Sequence, residues 1–271
     1  MKTILTRIFS AAVALAIFFY VYFVFKHDGL KFLCLLVSLL GTIEVSKLLF
    51  LGSERIFLRI LFTVSVLLNF LVTAYHQQFQ FLAFSSLAVL FLCSSILFES
   101  EFKELSELSA FQAKGILGIF YAGSLPGFAA QTLDFENGLS WFLTMLAIVF
   151  IGDTFAYIAG MLLGDKKILP RISPKKTLVG AWGGLIGSLV AAAYCSQWFT
   201  FPIWTFLVMG ATAGLIAQLG DMFESLLKRV ANAKDSGSIM PGHGGILDRI
   251  DGVLFAAPIV VLFATALTQL F

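Results

Sequence analysis

Acidic and basic side chains gather in a few short stretches of an otherwise apolar chain. Asp221, Glu224 and Lys228 are spaced i, i+3, i+7 and share one helical face, with Ser225 and Arg229 on an adjoining one. The stretch 231–247 follows, with Lys234-Asp235-Ser236-Gly237 and then Pro241-Gly242-His243-Gly244-Gly245. Asp248-Arg249-Ile250-Asp251 leads into the last apolar run, its two aspartates again on one helical face. Upstream, Asp153 follows Gly152 inside the apolar segment Ile151-Gly152-Asp153-Thr154-Phe155-Ala156-Tyr157. The polar stretch 164–177 carries Asp165, Lys166, Lys167, Arg171, Ser173, Lys175, Lys176 and Thr177.

Carboxylates alone at a membrane face would suit a proton or cation pathway. Carboxylates mixed with Lys and Arg suit a magnesium-bridged polyphosphate, in which acids hold the metal and cations neutralise phosphate oxygens. Glycines flanking a histidine let backbone N–H groups approach an anion closely. Hydroxyls and cations at a helix start, as in Ser173-Pro174-Lys175-Lys176-Thr177, suit a phosphate. Lys166 and Lys167 are explained equally well as a positive anchor at the membrane. No GxxxxGK[ST] loop occurs, so the chemistry is not that of a P-loop enzyme. Elsewhere polar residues read plainly: Glu44 and Lys47 as an intrahelical pair, His27 and His76 as solvated histidines. Cys34, Cys93 and Cys195 lack metal-ligand spacing and read as apolar-face residues.

The elements that must position these groups follow from composition. Of 271 residues 59% are hydrophobic and 13% charged, against about 25% charged in an ordinary soluble domain. Such a chain cannot cover itself with polar groups and must face lipid. A net charge of +2 does not point to nucleic acid. Spanning helices of roughly 17–25 residues are expected near 4–25, 30–51, 56–75, 79–98, 113–132, 139–163, 178–197, 201–220 and 252–271. The stretch 99–112 reads as an amphipathic interfacial linker, and the span with Pro126 and Gly127 as kinked or partly re-entrant. The first apolar run lacks a small-residue cleavage site and reads as a retained span. Small-xxx-small spacing at Gly160/Gly164, Gly180/Gly184, Gly183/Gly187 and Gly210/Gly214 predicts close helix packing in the second half.

Alternating nine spans from an inside N-terminus leaves only Lys26 and Lys31 outside among 18 Lys and Arg. That asymmetry places the N-terminus and both polar loops in the cytoplasm. Two domains are expected: 1–112, with N-terminal spans and the linker, and 113–271, a bundle carrying the polar loops.

At this point the residues resemble a known family. Ser225-Leu226-Leu227-Lys228-Arg229, then Lys234-Asp235-Ser236-Gly237, then Pro241-Gly242-His243-Gly244-Gly245-Ile246-Leu247-Asp248-Arg249-Ile250-Asp251 is similar to the signature of phosphatidate cytidylyltransferases. Met240 departs from the Leu, Ile or Phe usual before Pro-Gly, a change among apolar residues. Gly152-Asp153-Thr154-x-Ala156-Tyr157 and 173–177 also resemble family segments, so the likeness covers roughly 150–252.

The resemblance implies an all-α polytopic membrane fold that is homodimeric and sits in a bacterial inner membrane, and a magnesium-dependent reaction. That reaction takes CTP and phosphatidic acid to CDP-diacylglycerol and pyrophosphate. Position by position, it implies that Asp221 and Asp248 hold the metal and act in catalysis with Asp153 and Lys228. Substrate contacts are expected from Ser173, Lys176, Thr177, Arg229, Lys234, Asp235, His243, Gly244, Gly245 and Arg249. A CTP-dependent transferase or kinase for another lipid, such as an isoprenoid-based one, is the alternative; a transporter fits the clustered cations poorly.

Overall fold

The computed structural model describes residues 2–50, 56–237 and 244–270, and the side chains within them except those of 2–11, 14 and 270. Nine α-helices run in chain order: α1 Lys2–Leu49, α2 Ile56–Tyr75, α3 Gln80–Leu97, α4 Leu105–Ile119, α5 Leu125–Gln131, α6 Gly138–Leu163, α7 Leu178–Cys195, α8 Ile203–Val230 and α9 Leu247–Leu270. No strand is present among the described residues. Eight candidate spans are long and apolar enough to cross a membrane among those residues. The protein is an all-α integral membrane protein.

The eight candidate spans and the expected nine are reconciled at the N-terminus, where one candidate covers two of the expected runs. The runs near 4–25 and 30–51 are two helical segments that break at Lys26 (φ 54°, ψ −136°) and are counted together as α1. In that first part Leu15, Ile17, Phe19, Tyr20 and Phe23 are exposed, as lipid contact requires.

The chain divides into two compact units, one of residues 1–131 and 231–248, the other of 132–230 and 249–271. In the first unit, Leu58, Phe62, Val66 and Phe70 recur every four residues on α2 and are fully buried, beside a buried polar row of Ser65, Asn69 and Thr73. Phe62 joins Phe50, Phe91 and Phe111 in an aromatic cluster with centroids 4.6–6.3 Å apart. Gly115 lies against Phe91 and Gly118 against Phe62, which is how α4 comes so close.

The stretch 99–112 ends differently from the expected interfacial linker. A short 3₁₀ turn covers Glu99–Glu101, and the helix from Leu105 runs on into the next span, which is largely buried within the protein. Its Leu108 and Phe111 face the core while Leu105, Ser106, Glu107 and Ser109 are exposed, so the part from Leu105 is amphipathic as expected.

The irregularity expected around Pro126 takes the form of a π-turn, Phe120–Ser124, between α4 and α5. Asn69 Nδ2 donates to Ile119 O at 3.2 Å and to Ser124 Oγ at 2.7 Å. Pro126 has no N–H to offer the Ala122 carbonyl four residues back. Ser38 supplies the donor, its hydroxyl lying 2.6 Å from Ala122 O. Polar side chains thus satisfy backbone that the apolar surroundings could not.

The second unit is built on small residues. A Cβ at Gly180 would stand 2.9 Å from Ala156 O, and one at Gly183 would meet Ala159 Cβ at 2.5 Å, so α7 lies almost backbone to backbone on α6. A Cβ at Gly210 would meet Ala192 Cβ, and one at Gly214 the Ser188 side chain, bringing α8 onto α7. The expected small-residue pairs are therefore packing positions. At the far end from Asp153 on α6, Trp141 is fully buried against Phe199 and Phe206, with centroids 4.4 and 5.8 Å away.

Candidate active site

Three aspartates of the second unit lie within electrostatic reach of one lysine, and one of them pairs with it directly. Asp153 stands on α6, Asp221 on α8 and Asp251 on α9. Lys176 Nζ lies 2.7 Å from Asp221 Oδ2 and donates to Gln218 O at 3.4 Å. Asp153 interacts electrostatically with Asp221 and Lys176, and Asp251 with Asp221, Asp153 and Lys176. Each aspartate adjoins a glycine at which helices touch. A Cβ at Gly152 would meet Ser188 Oγ at 2.5 Å; at Gly220, Phe255 Cγ at 2.7 Å and Asp251 O at 2.8 Å; at Gly252, Val149 Cγ1 at 3.0 Å. The glycines let the backbones approach, and the approach crowds the carboxylates. Like charges so gathered favour a cation among them, and the ammonium of Lys176 fills that part.

The stretch 164–177 is folded back on itself. Leu178 N donates to Lys166 O at 2.9 Å, Ile168 N to Lys176 O at 3.2 Å, and Lys167 pairs with Thr177 as an antiparallel bridge. Thr177, expected to bind substrate, is buried and caps α7: its Oγ1 accepts from Gly180 N at 3.1 Å and packs beside Gly160 and Gly164. Ser173 is half-buried in the preceding turn, with its amide donating to Leu169 O. Arg229 Nε donates to Ile172 O at 3.3 Å, which ties the end of α8 to this stretch. Lys228, one residue earlier, forms an ion pair with Glu224 one turn back, both largely buried. The shared face of Asp221, Glu224 and Lys228 is thus real. Its strongest pairing is Lys228 with Glu224, while Asp221 turns to Lys176.

The described ends of the stretch 231–247 belong to the first unit. Asp248 Oδ2 accepts from Ser236 N at 2.9 Å, Ser236 Oγ at 3.0 Å and Gly245 N at 2.8 Å. Gly244 has φ +86°, and a Cβ there would stand 2.7 Å from Asp248 Oδ2, so a side chain is excluded twice over. Lys234 and Asp235 are exposed, as is Arg249 in the second unit. His243 lies outside the described residues, with Met240, Pro241 and Gly242.

Sequence reasoning missed two acids. Asp251, read only as sharing a face with Asp248, interacts electrostatically with Asp153 and Asp221. Glu44 appeared paired with Lys47, but no ion pair joins them; Glu44 is buried and accepts hydrogen bonds from Ser236, Ile246 and Leu247. The available signal was Glu44's place within an apolar run, where an acid needs donors.

Among the described residues, no group of three His, Cys, Asp or Glu side chains is arranged to hold a metal ion as it stands. The donor chemistry nevertheless fits magnesium. Asp153, Asp221 and Asp251 offer hard carboxylate oxygens with no thiolate or imidazole among them, and Asp221 already pairs with a cation.

A family model described as the cytidylyltransferase family matches residues 5–267. The chain belongs to this family. Among its relatives, a phosphatidate cytidylyltransferase of Synechocystis is 33% identical over 214 residues, 68% of this chain and 71% of that protein. Proteins of the same name from Staphylococcus saprophyticus and Brucella abortus are 40% identical over 147 residues and 37% over 158. Those alignments cover 54% and 56% of this chain, and 56% and 57% of the relatives. For these two, the chain spans little more than half of the relative's length.

Proposed function

We propose that the protein is a phosphatidate cytidylyltransferase, joining CTP and phosphatidic acid into CDP-diacylglycerol with release of pyrophosphate. The observation that carries this reading is the Lys176–Asp221 pair, with Asp153 and Asp251 in electrostatic reach, on apolar helices of a cytidylyltransferase-family chain. Such a site suits a polyphosphate with its cation, presented where a lipid substrate can reach it.

A phosphate oxygen of phosphatidic acid attacks the α-phosphorus of CTP, the bond from that phosphorus to the bridging oxygen breaks, and pyrophosphate departs. With a second pKa of about 6, the lipid phosphomonoester is already a competent nucleophile near neutral pH. No Ser or Cys nucleophile is needed. Magnesium, which Asp221 with Asp153 or Asp251 would hold, supplies charge neutralisation of the triphosphate. Lys176 and Arg229 add positive charge beside the acids, and Lys228 is held in place by Glu224. Asp248 orders the backbone of 236 and 245.

The same proposal places the site at the cytoplasmic face of a bacterial plasma membrane, with the enzyme acting as a homodimer. Purified protein in detergent, given labelled CTP, phosphatidic acid and magnesium, should form a liponucleotide and pyrophosphate in equal amounts. Transfer to an isoprenoid phosphate but not to phosphatidic acid would replace the lipid assignment. Failure with either lipid would refute the activity.

A further inference from the structure

Glu44 lies on α1, far along the chain from the stretch 231–247, yet it is almost wholly buried at 1% exposure. Both of its carboxylate oxygens are used. Oε1 accepts from Ile246 N at 3.0 Å; Oε2 accepts from Leu247 N at 3.0 Å and faces Ser236 Oγ at 2.9 Å. Leu247 opens α9, so these are amides that the helix itself leaves without a partner. Glu44 caps α9 from another helix, and its negative charge suits a helix N-terminus.

Two glycines of the signature are explained by the same contact. A Cβ at Gly237 would run into the Glu44 carboxylate, and one at Gly245 would collide with Ser236 Oγ and Glu44 Oε2. Gly41, one turn before Glu44, leaves room for Leu247, whose Cδ2 would stand 3.2 Å from a Cβ there. Ser236 joins this carboxylate to the next. Its hydroxyl has one hydrogen but two carboxylate oxygens in reach, Glu44 Oε2 at 2.9 Å and Asp248 Oδ2 at 3.0 Å.

We infer that Glu44 is a positioning residue for the transfer reaction: from α1 it fixes Ser236, Gly245, Ile246 and Leu247, and through Ser236 it sets the carboxylate of Asp248. This rests on the cytidylyltransferase reading for its effect on turnover, though not for its effect on the backbone. Polar residues that orient a reactive group from behind typically change activity by about 10- to 100-fold when replaced.

The test compares wild type with Glu44→Gln, Glu44→Asp and Ser236→Ala, each purified in the same detergent. Hydrogen–deuterium exchange is followed at the amides of 245–247 and, as a control, in α2 and α6. In Glu44→Gln an amide nitrogen replaces one acceptor oxygen. Exchange at 245–247 should rise at least about 10-fold, with α2 and α6 unchanged, and kcat should fall by about 10- to 100-fold. Glu44→Asp keeps the charge but is one methylene shorter, so it should recover part of both effects. Ser236→Ala should lower kcat with less effect on exchange, and in the double variant with Glu44→Gln the losses in kcat should not add. Unchanged exchange at 245–247 in Glu44→Gln would overturn the inference, as would raised exchange with wild-type kcat. Should Glu44→Gln fail to fold, additive losses between Glu44→Asp and Ser236→Ala would overturn it equally. An inactive wild type would count against the proposed reaction, while the exchange comparison would still decide whether Glu44 holds this backbone.

Discussion

Lys176 and Asp221 stand 2.7 Å apart although they come from different elements, the residue before the α7 cap and the second half of α8. Both are partly exposed, at 24% and 37%, so the pair is accessible to substrate and ions. Under the proposed function, an ammonium so placed would compete with a cation for Asp221 and would be available to a substrate phosphate.

Lys176→Ala should therefore have two effects of different sign. Loss of a charged hydrogen bond to the triphosphate should raise KM for CTP by roughly 10- to 100-fold, with a smaller change in kcat. Loss of the competing cation should lower the magnesium concentration that gives half-maximal rate. Steady-state kinetics in neutral detergent, with CTP, lipid and magnesium varied in turn, measure all three. Unchanged values throughout would leave Lys176 with no more than the anchoring of a loop to anionic headgroups.

Asp221→Asn should lower kcat by at least about 100-fold, because it removes full charge from the centre of the site. Expression and melting temperature should stay near wild type, since a partly exposed side chain is changed. Chelation should abolish wild-type activity and added magnesium restore it. Near-normal turnover of Asp221→Asn at saturating magnesium would refute its role.

Lys228→Ala tests stability and activity together. Glu224, at 1% exposure, would lose its ion-pair partner inside the protein, a change that typically costs about 3–5 kcal/mol. The melting temperature should drop, and adding Glu224→Gln should recover much of it. Activity should remain low in that double variant if Lys228 also serves the substrate. Full recovery of both would confine Lys228 to a structural part.

Gly220→Ala places a methyl group against Phe255 and the Asp251 carbonyl. Overpacking of this kind typically costs about 1–3 kcal/mol. Turnover should fall further than stability predicts, because α8 and α9 carry two of the three aspartates. Thermal unfolding and kinetics on the same preparation give the comparison.

Sidedness is open to direct labelling in a variant freed of native cysteines. Lys167→Cys should be reached by an impermeant thiol reagent only from the cytoplasm, and Glu136→Cys only from outside. Both side chains are exposed. Labelling of Lys167→Cys in intact cells would invert the proposed orientation.

The apolar runs announced the helices because only a helix satisfies its own backbone in lipid. The charged face of the α8 extension was readable from its spacing. Pairings across the chain were not. Asp251 was read only as sharing a face with Asp248, because its nearness to Asp221 depends on how closely α8 and α9 meet at Gly220. Thr177 was ambiguous for a local reason: a hydroxyl at a helix start serves a phosphate or an N-cap with the same atoms, and here it caps. Glu44 was hidden by a plausible neighbour, Lys47, while its actual donors lie far along the chain. The Pro126 span appeared irregular in sequence; that Ser38 would complete it belongs to the packing of α1.

The π-turn at Phe120–Ser124 has a consequence for how this part of the chain tolerates change in length. Such a turn widens the helix by about one residue relative to regular α geometry. Removing one residue there would let α4 and α5 close into a regular helix with their faces still in phase, at the cost of the free carbonyl that Asn69 now serves at Ile119. A deletion in the regular part of α4, between Phe111 and Gly115, would instead rotate one side by about 100° and turn one of the two away from Phe91. The π-turn is thus where this span can lose a residue, and the regular helix beside it is where it cannot.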